Sequence, residues 1–121
     1  MPHMTVEYTE NIASAINTKD LLAKMNASLI SHEGLFTPQG IRSRAIQLTD
    51  YLVGHGDNDN AFVHTTLKIA PGRTEAAKKK VFDDLFTTIE AYVNEVSADQ
   101  QITISLEFFE LSTGGSMYHQ K

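Results

Sequence analysis

Apolar and polar residues along the chain follow two different periods, and the places where one gives way to the other mark out its elements. Met4, Val6 and Tyr8 alternate with Thr5 and Glu7, the period of two expected of a half-buried strand. Leu21, Leu22, Met25 and Leu29 then form a helical stripe, which predicts a helix through about residue 31. Thr18 is the expected N-cap, with Asp20 favourably placed in the electropositive first turn. Gly34, Pro38 and Gly40 punctuate a loop, and residues 41–48 resume as a strand. Gly54-His55-Gly56-Asp57-Asn58-Asp59-Asn60 reads as a polar crossover. Beyond it, Val63, Thr65, Leu67 and Ile69 share one face of a strand over 62–70 that Pro71-Gly72 ends. Thr74 is positioned to cap a long second helix carrying Val81, Leu85, Ile89, Tyr92 and Val96 in one stripe, with Phe82, Phe86 and Val93 beside it. Residues 101–111 are the expected last strand.

The two halves repeat this pattern. His3 falls on His64, Thr5 on Thr66, Val6 on Leu67 and Tyr8 on Ile69, all at one offset of 61 residues that also places Ile41 on Ile102. Two tandem βαβ units in a single domain, 1–121, with halves at about 2–53 and 61–112, predict an α+β fold. Right-handed crossovers make the strands of each unit parallel, in a four-stranded sheet with both helices on one face. A ferredoxin-like domain is the structural alternative, since it too has two strand–helix–strand halves. The uncovered sheet face would be partly apolar, and packing against copies of itself in a symmetric ring is expected.

Composition narrows the function. The net charge is −5 and no basic stripe is present, which argues against nucleic acid as a partner. Lys78, Lys79 and Lys80 would splay round a helix as solvated side chains. An acidic chain does not steer anions by its overall field, so an anion site must be built locally from arginines. There is no cysteine, hence no disulfide, thiol nucleophile or thiolate zinc site. The first residues lack the basic and apolar runs of a signal peptide, and no segment suits a membrane span, so a cytoplasmic protein without a membrane partner is expected.

Three residues stand out as candidates for chemistry. Pro2 would have a free secondary amine once Met1 is removed. An α-amino group titrates near about 8 in water, and burial disfavours its cation, so such a nitrogen can act as a base at neutral pH. Arg42, with Arg44 two residues on and sharing its strand face, sits where a carboxylate can be clamped. Arg73 lies between a strand end and a helix start, a position that favours anion binding. Against these stand ordinary alternatives: a Met-Pro start with no role, a surface salt bridge, a solvated turn arginine. The five histidines show no metal spacing, and Asp57 with Asp59 lacks the glutamate a calcium loop needs.

Several segments together resemble one family. Met1-Pro2-His3-Met4-Thr5-Val6-Glu7-Tyr8, Gly40-Ile41-Arg42-Ser43-Arg44, Ala61 to Ile69 with Gly72-Arg73, and Ser105 to Leu111 are similar to segments of 5-carboxymethyl-2-hydroxymuconate isomerases. The resemblance runs from residue 2 to about 111, leaving Glu10–Thr18 and the tail beyond Leu111 as departures. It implies the tautomerase fold, a homotrimer and a cofactor-free, metal-free proton transfer on a small polycarboxylate. It further implies that Pro2 is the base, that Arg73 holds the C-1 carboxylate and developing keto oxygen, and that Arg42 grips a distal carboxylate. Arg44 would be structural. The family ketonises its dienol in homoprotocatechuate breakdown, a stage of 4-hydroxyphenylacetate degradation. Two further functions remain open at this point: a tautomerase for a simpler enol acid such as phenylpyruvate, and a non-catalytic trimeric ligand-binding scaffold.

Overall fold

The computed structural model describes residues 1–57 and 59–121; the predicted crossover Gly54–Asn60 therefore contains one position, Asn58, outside the described residues. Its elements are β1 (His3–Thr9), a short 3₁₀ turn (Glu10–Ile12), α1 (Thr18–Ile30), a second 3₁₀ turn (Pro38–Gly40), β2 (Arg42–Leu48), β3 (Ala61–Ile69), α2 (Glu75–Val96) and β4 (Ile102–Glu110). The strands form one sheet in the order β2-β1-β3-β4. β1 is parallel to β2 and β3 to β4, while β1 and β3 meet antiparallel at the centre. Each βαβ unit keeps its own two strands adjacent. That rules out the ferredoxin-like alternative, in which the unit is split by another strand. The α+β class and the parallel pairing within each unit are as the sequence pattern predicts.

Alternation places the core. Met4, Val6 and Tyr8 of β1 and Val63, Thr65, Leu67 and Ile69 of β3 are buried, and the register pairs Met4 with Leu67 and Tyr8 with Val63 on the helix-covered face. Leu21, Met25 and Leu29 of α1 and Val81, Leu85, Ile89, Tyr92 and Val93 of α2 complete the core. Val96, expected in the main stripe, is only partly buried because α2 ends there and the chain leaves the sheet. The opposite face carries His3, Thr5, Glu7, His64, Lys68, Ser105 and Glu107, interspersed with Ile46 and Phe109, which are exposed. It is thus mixed rather than simply apolar: His64 Nδ1 lies 2.6 Å from Ser105 Oγ, and its Nε2 3.4 Å from Glu107.

The helix starts are specified by side chains. Thr74 caps α2 as predicted, its hydroxyl accepting the Ala77 N–H at 3.1 Å. At α1 the cap is Asn17, not Thr18: Asn17 Oδ1 accepts from Asp20 N–H at 3.1 Å, and Thr18 is already helical. Asparagine is at least as good an acceptor as threonine here, and the chain bends one residue earlier than the stripe suggests. The reason lies in α2. Tyr92 O–H donates to Asn17 O at 3.1 Å and accepts the Asn17 N–H at 2.9 Å, fixing the turn that precedes α1. Lys78 also departs from the solvated role expected of it. Its partly exposed side chain lies between Glu75 and Glu110, whose hydrogen bonds push the ammonium above its ordinary range and pin the start of α2 to β4.

Replacing Tyr92 with phenylalanine removes both bonds and leaves the Asn17 backbone groups without these partners. The substitution is expected to cost about 1–3 kcal/mol in chemical denaturation, with the urea slope unchanged.

Candidate active site

β1 occupies an interior position in the sheet, so its first residues are enclosed by structure. Pro2 is buried. Its carbonyl accepts the Arg42 N–H at 3.0 Å, extending the parallel β1–β2 pairing, in which His3 faces Arg42, one step toward the chain start. Arg42 is thereby placed beside Pro2 by backbone geometry. Its Nη1 donates to the carbonyls of Gln39 and Ile41, holding the guanidinium against the Pro38–Gly40 turn while the side chain stays exposed.

Arg73 arrives from the other half. β3 runs antiparallel to β1, so its end lies near the start of β1. The chain leaves β3 through Gly72, at φ +119°, where a side chain would be strained. Arg73 Nε and Nη2 both donate to Leu35 O, at 3.1 and 2.7 Å, and Nη1 donates to Ala70 O at 3.0 Å. The guanidinium also lies 4.5 Å from the centroid of the Phe36 ring. These contacts use three of its five N–H groups and fix its plane. Burial pushes Arg73 below the ordinary arginine range and the Glu110 carboxylate opposes that shift; the group remains a cation at neutral pH.

The result is a cavity of about 230 Å³ onto which Pro2, Arg42 and Arg73 all open. They come from the start of β1, the start of β2 and the end of β3, far apart in sequence. The remaining wall is partly one that sequence reasoning did not assign. Leu35, Phe36 and Gln39 line it, as do Tyr118 and Gln120 of the tail. The signal for Phe36 was an apolar pair, Leu35-Phe36, between the loop breakers Gly34 and Pro38. Met1 also borders the cavity, next to Pro2.

Arg44 is not part of the site. It shares a face with Arg42 only in the regular part of β2, and its Nη1 lies 3.1 Å from His3 Nδ1. The Arg42 side chain folds back over the 3₁₀ turn while Arg44 lies beside His3 over the open sheet face, in keeping with the separate roles expected of them. Among the described residues no group of three or more His, Asp or Glu side chains is arranged for a metal ion, and Asp59 instead accepts from Asn11 Nδ2 at 2.9 Å.

The sheet topology and a cavity at the start of β1 define a tautomerase-type fold. A fused 4-OT symmetric trimer superimposes with a TM-score of 0.60 at 14% identity, over 89% of this chain and 85% of that one. A crystal structure of a 5-carboxymethyl-2-hydroxymuconate isomerase from Deinococcus radiodurans R1 matches far better: TM-score 0.91, 33% identity, 99% of this chain and 90% of that one. The 5-carboxymethyl-2-hydroxymuconate Delta-isomerase of Escherichia coli is 33% identical over 111 residues, covering 92% of this chain and 87% of its own length. The family profile described as 5-carboxymethyl-2-hydroxymuconate isomerase spans residues 2–121, which takes in the tail as well. The chain belongs to this family and is an isomerase. No helix among its described residues is long and apolar enough to cross a membrane.

His3, beside Pro2, gives the site a pH signature. Partial burial first, then Arg44, the Met1 ammonium, Arg42 and Lys68, lower its pKa below the ordinary 6.5. The folded state therefore binds its proton less readily than the unfolded chain. Stability should fall as pH drops from about 6.5 through the folded-state value, and not above that window. Thermal melting of wild type against His3→Gln across about pH 5–8 measures this. The wild type should lose stability on acidification relative to the variant; a difference that is flat with pH rejects the assignment.

Proposed function

We propose that this isomerase ketonises 5-carboxymethyl-2-hydroxymuconate, using the Pro2 nitrogen, freed by removal of Met1, as the only proton carrier. The observation that carries the proposal is the convergence of Pro2, Arg42 and Arg73 on one cavity. A secondary amine buried in a cavity that two arginines also line is held toward its neutral form, because desolvation and like charge both disfavour the cation. One group then serves first as base and afterwards as acid.

The electron count closes without a cofactor. Pro2 nitrogen takes the proton of the 2-hydroxyl, and the C2–O bond becomes a carbonyl. The C2–C3 double bond moves to C3–C4. The C4–C5 pair takes the proton back from the prolinium at C-5. Arg73, oriented by Leu35 O, Ala70 O and Phe36, is suited to the C-1 carboxylate and to the oxygen that gains charge at C-2. Arg42 is suited to a distal carboxylate, at the more exposed side of the cavity. A substrate with three carboxylates needs such local cations, since the chain as a whole carries −5. The reaction belongs in homoprotocatechuate and 4-hydroxyphenylacetate degradation. A homotrimer fits the mixed open face of the sheet, where exposed Ile46 and Phe109 lie among paired polar groups.

Two measurements test this reading. Pro2→Ala, or a chain shown by N-terminal mass spectrometry to retain Met1, should lose at least about 100-fold in kcat for decay of the dienol absorbance. Turnover unchanged with Met1 in place would sink the role of Pro2. Separately, Arg42→Ala should raise KM for the tricarboxylate by about 10-fold or more, while leaving KM for the monocarboxylate enol of phenylpyruvate nearly unchanged. Equal effects on both would remove the distal-carboxylate role.

A further inference from the structure

After β4, Leu111 N–H donates to Ile69 O at 2.9 Å, holding the chain beside the end of β3 and only a few residues from Arg73. A tight turn follows. Gly115 N–H donates to Ser112 O at 2.8 Å, and Gly114 sits at φ +76°. A Cβ at Gly115 would come within 2.7 Å of Ser112 O, so both glycines are demanded by the backbone path. This turn brings Tyr118 and Gln120 onto the cavity shared by Pro2, Arg42 and Arg73.

Tyr118 is nevertheless 72% exposed and Met117 97%. The tail thus rests on little of its own subunit, and displacing it costs the fold little. Residues 112–121 contain no aspartate or glutamate, although the whole sequence has 15 of them. No acidic side chain of this segment therefore opposes a polyanion in the cavity.

We propose that the tail is a closing wall of the cavity and that Tyr118 is a specificity-determining residue, its ring covering the flat conjugated carbon skeleton of an unsaturated polycarboxylate. This deepens the isomerase reading given above and rests on it for the identity of the occupant. The two arginines recognise carboxylates whatever the shape of the chain between them. A phenol ring adds selection for planarity, because only a planar conjugated ligand presents a face to it.

The test uses the full-length protein and two unreactive tricarboxylates, planar trans-aconitate and flexible propane-1,2,3-tricarboxylate. By calorimetry, Tyr118→Ala should weaken trans-aconitate binding by about 10-fold, with the saturated acid changed by less than about 2-fold. Tyr118→Phe should restore wild-type affinity, and the melting temperature should stay unchanged in both variants. With the dienol as substrate, Tyr118→Ala should raise KM more than it lowers kcat. Equal loss for both acids, no loss for either, or failure of trans-aconitate to bind the wild type overturns the proposal. If the wild type binds trans-aconitate in this Tyr118-dependent way yet does not turn over the dienol, the isomerase substrate is wrong and the role of Tyr118 stands.

Discussion

Pairing the very first residues of the chain into the interior of a sheet is the constraint from which the site follows. β1 is flanked on both sides, by β2 and by β3, so Pro2 has no open edge and little access to water. The bond from Arg42 N–H to Pro2 O is the last rung of that pairing. It forces whatever residue begins β2 to lie next to Pro2. The antiparallel run of β3 then brings the opposite end of the other half to the same place. A chain start that frayed, as most do, could not hold Pro2 fixed beside Arg42.

The two arginines illustrate different ways of holding a cation. Arg73 is bound through backbone carbonyls and an aromatic face, contacts that carry no formal charge of their own. None of these contacts neutralises its charge, although the Glu110 carboxylate acts on it electrostatically, and they remove its rotational freedom beforehand. That is the arrangement expected where orientation, more than affinity, matters. Arg42 is tied only through Nη1 to its own turn and remains exposed, so water screens it more strongly. The difference is the one the proposed function calls on, with Arg73 at the reacting end of the substrate and Arg42 at its periphery. Arg44 shows how far two residues along β2 change a setting: its side chain meets His3 over the open face instead.

Much of the architecture was legible in the residue pattern. The alternation in β1 and β3, the two helical stripes and the half-chain repeat sufficed for two βαβ units on one sheet face, because apolar spacing directly encodes which side is buried. Pro2, Arg42 and Arg73 were also readable as candidates. Elsewhere the pattern was insufficient. The start of α1 lies one residue before the pattern places it because Tyr92, 75 positions from Asn17, fixes the turn that carries the cap. Phe36 and Tyr118 were passed over because loop and tail residues show no periodicity to betray a common wall.

Taken alone, the sequence determined what each segment prefers: strand or helix, the faces that seek burial, and the presence of a proline and arginines capable of acid–base and anion chemistry. These are local properties, set by side-chain spacing and intrinsic charge. Only the tertiary structure decided that the three groups meet, that Arg44 does not join them, and that the tail turns back over them. Such proximity depends on strand order and on the direction of β3 relative to β1, which the spacing of residues within a strand does not encode.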